Sequence, residues 1–150
     1  MNRAEILGGI VQDLRAGYAR EIELYRRVRE LSRRQKRLLH ERGDGFALLS
    51  LCADKEELLR EIGALDDTLA PARTLIAHEQ DHIPAGQMAQ LHDLLDHLAA
   101  VIEEIRVLEL DCYNFIAAET VAPRPVGGTP PPGVVPPNSP EASVGTAFVD

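Results

Sequence analysis

Five consecutive residues of the sequence match a zinc-peptidase pattern. They read HEQDH, which has the H-E-x-x-H spacing. On a helix His78 and His82 would share one face and reach one Zn²⁺, while Glu79 could polarise the bound water. A proline follows two residues after the pattern, and the spacing to His92 does not fit an extended metal-binding motif. We therefore interpret the stretch as a solvated helix end and predict no metal site, no cofactor and no catalytic residue. Weak metal binding by these histidines stays an open alternative.

Three other residue types could carry chemistry, and each has a structural interpretation. His92 and His97 are five residues apart, so they point to different faces of a helix. Cys52 and Cys112 lie in apolar runs without metal or redox spacing, which indicates buried free thiols. Lys55 occupies a core position of a heptad pattern, where we expect its charge to reach towards solvent and its position to set helix register.

The charges are distributed unevenly along the chain. Residues 26–37 contain seven basic residues and one acidic residue, and residues 1–42 carry a net charge of +5 against −13 for the rest. We expect this basic segment to pair with acidic residues of the later helices rather than with nucleic acid; an acidic protein partner is the other alternative. Examples of such acidic residues are Glu56, Glu57, Glu61, Asp66 and Asp67.

Three long apolar periodicities predict the fold. Apolar residues recur at spacings of three and four over about 3–42, 46–80 and 87–119, and no segment alternates with period two. The predicted stripe of the third helix is Met88, Leu91, Leu95, Leu98, Ile102, Ile105, Leu108, Cys112 and Phe115. Gly43-Asp44-Gly45 predicts a tight turn, with a glycine ending the first helix and Asp44 capping the second. The fold class is therefore all-α, an antiparallel coiled-coil-like bundle of three long helices.

Two further features complete the predicted organisation. Pro71 predicts a kink in the second helix, or a second short helix capped at Thr68. Residues 120–150 hold most of the prolines and no periodicity, so we predict a bundle domain over 1–119 followed by a disordered Pro/Gly-rich tail. No window is long and apolar enough to span a membrane and no signal peptide is evident, which favours a cytoplasmic protein.

Two stretches resemble a known family. LYRRVRELSRRQKRLLHERGDGFALLSLCADKEELLREIGALDDTL combines a Gly-Asp turn with leucines around Lys55 and Glu56, and LHDLLDHLAAVIEEIRVLELDCYNFI carries Asn114 near its end. Together they are similar to the FlgN-like flagellar export chaperones. The resemblance implies a cytoplasmic chaperone without enzymatic activity in flagellar type III protein export. Such a protein would bind hook–filament junction proteins, which are secreted hook-associated proteins, and deliver them to the export apparatus. A coiled-coil adaptor or assembly protein without a chaperone role is the alternative, and a homodimer is open.

The C-terminal part of the third helix is the predicted partner-binding surface. Its apolar residues exceed what two neighbouring helices need, because Leu110 and Ile116 fall outside the main stripe. The candidate partner-binding residues are Ile105, Leu108, Leu110, Cys112, Tyr113, Asn114, Phe115 and Ile116.

Overall fold

Three helices account for most of the part of the chain that the structure describes. The structure is a computed structural model that describes residues 2–121. Helix α1 spans Arg3–His40, α2 spans Gly45–His78 and α3 spans Ala85–Val121, with a 3-10 turn at Gln80–His82 between the last two. No strand occurs within these residues. The all-α prediction is confirmed, whereas most of the predicted tail lies outside the described residues.

The first two helices run antiparallel. Arg3 Nε donates to Glu79 Oε1 at 2.7 Å, and Arg20 Nη2 lies 2.9 Å from Glu61 Oε2. The start of α1 therefore lies beside the end of α2. This is the hairpin that a short glycine-containing turn permits.

The third helix runs parallel to the first. Arg29 Nη1 lies 2.6 Å from Glu104 Oε1, and Lys36 Nζ lies 2.9 Å from Asp111 Oδ2. Residue numbers rise together in these pairs, so the bundle has an up-down-up order. The C-terminal part of α3 consequently lies at the same end as the α1–α2 turn.

The α1–α2 turn differs by one residue from its prediction. Asp44 caps α2 by accepting a hydrogen bond from the Phe46 N–H at 3.0 Å, as predicted. The left-handed residue after α1 is Arg42, with φ 53°, rather than a glycine. The Gly43 N–H donates to Leu38 O at 2.8 Å, and the Arg42 N–H donates to Leu39 O at 3.3 Å. These two bonds form a Schellman motif, which satisfies the last carbonyls of α1.

Apolar residues from all three helices form the core. One cluster joins α1 and α2 to the start of α3, and a second lies towards the middle of the bundle. The first cluster comprises Leu7, Val11, Leu14, Tyr18, Leu69, Ile76, Ile83 and Leu91, and the second comprises Leu24, Val28 and Ile62 with Ile105 packed against it. At Gly17 a Cβ would lie 2.6 Å from Leu69 Cδ1, so the missing side chain lets α1 and α2 approach closely.

Helix α2 continues through Pro71 without a break. Pro71 lies inside the helix, which ends at His78. The Thr68 hydroxyl donates to Ala64 O at 3.0 Å, a bond to the preceding turn of the same helix. The alternative of a second short helix capped at Thr68 is therefore wrong.

Candidate partner-binding groove

The residues of the zinc-peptidase pattern do not share a helix face. Helix α2 ends at His78, and His82 belongs to the separate 3-10 turn. Glu79 accepts hydrogen bonds from Arg3, which hold the pKa of its carboxyl below the usual value. Within residues 2–121 no three His, Cys, Asp or Glu side chains lie close enough together to hold a metal ion. The H-E-x-x-H spacing therefore lacks the helix that its chemistry needs.

The basic segment of α1 pairs with acidic residues, but chiefly with those of α3. Besides the Arg29–Glu104 and Lys36–Asp111 pairs, Arg33 Nη2 lies 3.7 Å from Glu104 Oε2. Intramolecular pairing is thus confirmed. Of the acidic residues expected to take part, only Glu61 pairs with α1, whereas Glu57 and Asp66 pair within their own helix and Glu56 and Asp67 have no ion-pair partner in residues 2–121.

A polar layer crosses the bundle at Lys55. The Lys55 ammonium group donates to Gln35 Oε1 at 2.7 Å and to Glu109, and the Ser32 hydroxyl donates to Glu109 Oε2 at 2.7 Å. Lys55 is only 9% exposed, so the expectation that its charge reaches solvent is wrong. Burial alone would raise the pKa of Glu109, but the hydrogen bonds from Lys55 and Ser32 outweigh it and lower that pKa. Side chains of all three helices meet in this layer.

A buried acid lies between α1 and α2. Glu21 is 3% exposed, and its pKa is raised by burial and by the neighbouring carboxyl of Asp66. Arg73 Nη1 lies 2.9 Å from Asp66 Oδ1 and partly offsets this effect. The polar periodicity of α1 gave no indication of this site, because Glu21 directly precedes the apolar stripe residue Ile22.

The apolar stripe of α3 that packs in the bundle differs from the predicted one. Leu94 is half-buried and Val101 is buried, whereas the predicted stripe residues Leu95 and Ile102 are 38% and 40% exposed. The packed residues follow two lines with seven-residue spacing. These lines are Leu91, Leu98, Ile105 and Cys112, and Leu94, Val101, Leu108 and Phe115.

Three exposed apolar residues of α3 and the half-buried Glu109 form a third line, which we call the groove line. It consists of Leu95, Ile102, Glu109 and Ile116, at intervals of seven residues. Glu109 reaches Lys55 of α2, so the line runs along the side of α3 that faces α2. Tyr113 lies four residues after Glu109 and is 68% exposed, which widens the line at its C-terminal end.

Helix α2 supplies the opposite wall. Leu59 is 47% exposed and lies one turn after Lys55, so helical periodicity places it on the side of α2 from which Lys55 reaches α3. Near the start of α3, residues of all three helices line a cleft of about 280 Å³. The cleft is lined by Leu14, Tyr18, Arg73, Ile76, Ala77, Gln80, Met88, Leu91, His92 and Leu95. We call this surface, from the cleft to Ile116, the α2–α3 groove.

The predicted partner-binding residues divide into two groups. Leu110, Tyr113, Asn114 and Ile116 are exposed. The others take part in the bundle. Ile105 packs against the second core cluster, Leu108 is half-buried, Cys112 is a buried thiol whose pKa is raised by burial, and the Phe115 ring lies 4.5 Å from that of His40. The residues of the first group are the more accessible to a partner in this arrangement.

Leu59, Leu95 and Ile102 were not among the predicted partner-binding residues. The signal in the sequence was a third line of α3 residues with seven-residue spacing, apolar except for Glu109, although a helix in a three-helix bundle needs only two such lines. Assigning Leu95 and Ile102 to the core concealed the third line.

The two histidines of α3 and the two cysteines lie in separate environments. His97 Nε2 lies 2.9 Å from Arg26 Nη2, and His92 borders the cleft, so the two histidines do not act together. Cys52 is half-buried, and neither cysteine is in a disulfide. Within the described residues no helix is long and apolar enough to cross a membrane.

The chain was compared with protein-family models, with curated proteins and with solved structures, and none of the three comparisons gave a match. The family resemblance of the sequence therefore stays a prediction.

Proposed function

We propose that the chain is a helical binding protein that holds an amphipathic helix of another protein in the α2–α3 groove. The observation that carries the proposal is the groove line of α3, whose apolar residues Leu95, Ile102 and Ile116 are exposed and are not used by the three-helix core. Exposed apolar side chains that recur along one side of a helix are typical of a surface that binds another helix. A groove between two helices suits a third helix that inserts apolar residues at the same spacing.

The resemblance to FlgN-like proteins gives the proposal its specific form. In this form the chain is a cytoplasmic export chaperone of the flagellar type III system, without enzymatic activity. Its partners are hook–filament junction proteins, held before secretion and passed to the export apparatus. The terminal segments of secreted subunits are well suited to the groove if they fold as amphipathic helices on binding.

The cleft at the start of α3 supports the proposal independently. Its walls are mostly apolar, with Leu91 and Leu95 from α3 and Ile76 from α2. A volume of about 280 Å³ suits a large apolar side chain better than a drug-sized ligand. An anchor residue of the partner placed there would fix where its helix begins along the groove.

The test is a binding comparison of three variants with matched side-chain exposure. Ile102→Asp and Ile116→Asp place a charge on the groove line, and Ile6→Asp places one on α1, away from the groove. The three isoleucines are 40%, 46% and 46% exposed in the structure. A carboxylate in a dry helix–helix contact costs several kcal/mol when it is unpaired. We expect the first two variants to lose binding of hook-associated proteins by at least about 100-fold, while the third binds as the parent does.

Thermal melting of each variant accompanies the binding measurement. If the groove variants melt like the parent and still bind at full strength, the assignment of the α2–α3 groove as the binding site is wrong. If the parent binds no hook-associated protein but binds other amphipathic helices, the chaperone role is wrong and the adaptor role replaces it.

A further inference from the structure

Helical periodicity aligns exposed carboxylates into one row on α2 and one row on α3, the two helices that border the α2–α3 groove. On α3, Asp96 and Glu103 each follow a residue of the groove line and are seven residues apart, so they form a parallel row. On α2, Glu56 and Asp67 are eleven residues apart, which is about three helical turns, so they also share one side. All four residues are exposed.

The basic residues of these two helices are already paired. Within residues 2–121, α2 and α3 contain four Lys or Arg residues, and each forms an ion pair with an acid of α2 or α3. The four pairs are Lys55–Glu109, Arg60–Glu57, Arg73–Asp66 and Arg106–Glu103. In contrast, Glu56, Asp67 and Asp96 form no ion pair with any described residue. The two helices that border the groove therefore carry negative charge that residues 2–121 do not neutralise.

We infer that the natural occupant of the groove is a basic amphipathic helix of a partner protein. Its apolar residues recur at heptad spacing to meet Leu95, Ile102 and Ile116, and Lys or Arg residues flank this face on both sides to meet the carboxylate rows. From Leu95 to Ile116 the groove line covers about 32 Å, so a partner helix of about 21 residues fills it. This inference rests on the proposed function and adds the charge of the partner.

Two other occupants fit the charge pattern less well. The groove of a second copy carries the same carboxylates, so two grooves placed face to face would repel each other. Residues 122–150 of this chain contain one basic residue, Arg124, and cannot match two carboxylate rows. Helix α1 of a second copy is basic, but its apolar stripe is buried against α2, and the bundle would have to open to release it.

The test uses two designed helical peptides of about 21 residues. Both have the same leucine heptads, and one has lysine at the flanking positions where the other has glutamate. The full-length chain is titrated with each labelled peptide, and binding is followed by fluorescence anisotropy. At low salt we expect the lysine peptide to bind at least about tenfold more tightly. Screening should shrink that difference several-fold at about 1 M salt.

Charge-neutral variants locate the effect. Glu56→Gln combined with Asp67→Asn and Asp96→Asn should remove most of the lysine preference. The matched control replaces three exposed acids away from the groove, Asp13, Asp54 and Asp93, with asparagine and should keep the preference. Equal binding of the two peptides to the parent, or equal loss in the two triple variants, would overturn the inference.

The outcomes separate this inference from the proposed function. If both peptides bind equally and Ile116→Asp abolishes both, the groove binds helices but does not select basic ones. If neither peptide binds to the well-folded parent, the proposed function itself fails. A stable dimer in sedimentation that peptides dissociate would assign the groove to a second copy and likewise overturn the inference.

Discussion

Replacing Lys55 by methionine tests whether the polar layer joins the three helices. Methionine keeps the apolar stem but removes the donor to Gln35 and Glu109. Removing one partner of a fully buried ion pair costs about 3–5 kcal/mol. The Glu109 side chain is 42% exposed, however, so water can solvate the carboxylate that is left. We therefore expect the free energy of unfolding to fall by about 1–2 kcal/mol.

A second substitution should recover most of that loss. Glu109→Gln removes the unpaired charge and keeps an oxygen that can accept from the buried Ser32 hydroxyl. Lys55→Met combined with Glu109→Gln should therefore lie within about 1 kcal/mol of the parent.

Urea unfolding at neutral pH of the parent, both single variants and the double variant gives the coupling between the two residues. The pH dependence provides a second measurement. The pKa of Glu109 is lowered in the folded state, so its contribution to stability is present above the ordinary glutamate pKa and is lost as the pH falls below it. This acid-dependent loss should be smaller in Lys55→Met. The reasoning is refuted if Lys55→Met is as stable as the parent, or if the double variant is less stable than the single one.

Three further substitutions have defined expectations. Gly17→Ala should lower the free energy of unfolding by about 1–2 kcal/mol, because overpacking against Leu69 outweighs the gain in helix propensity. Gly63 has open space around it, so Gly63→Ala should raise the free energy of unfolding by up to about 1 kcal/mol. Equal melting temperatures of the two variants would contradict this pair of expectations. Burial raises the pKa of Glu21 in the folded state, so the free energy of unfolding should fall as the pH rises above the pKa of this residue in the unfolded chain. Glu21→Gln should reduce this pH dependence and raise the melting temperature at neutral pH; an unchanged pH dependence would contradict the expectation. Arg42→Gly should gain about 0.5–1 kcal/mol in chemical unfolding, because glycine adopts the left-handed conformation without steric cost; a loss would contradict it.

The sequence predicted the helices better than their faces. Apolar periodicity located three helices to within a few residues, since each must bury one side along its whole length. It failed on α3 because successive apolar residues there fit more than one line. Leu94 and Leu95 are adjacent, as are Val101 and Ile102, and only the positions of α1 and α2 decide which member of each pair is packed.

The polar sites were the least predictable part of the bundle. The position of Lys55 in a core heptad was visible, but the direction of its side chain depends on Glu109, 54 residues later in the chain. Glu21 gave no signal at all, because an acid beside an apolar stripe usually faces water. Similarly, charge segregation predicted pairing with α1, but only the parallel arrangement of α1 and α3 determines which acids take part.

The polar layer and the proposed groove share one residue, and this links folding to binding. Glu109 belongs to the groove line, where a free carboxylate would interrupt the apolar surface between Ile102 and Ile116. Its bonds to Lys55 and Ser32 draw the charge towards the bundle and neutralise it. A partner helix can then cross this position at a lower desolvation cost than a free carboxylate would impose. Lys55→Met should therefore weaken helix binding even under conditions where the variant is fully folded, which a purely structural role of Lys55 does not require.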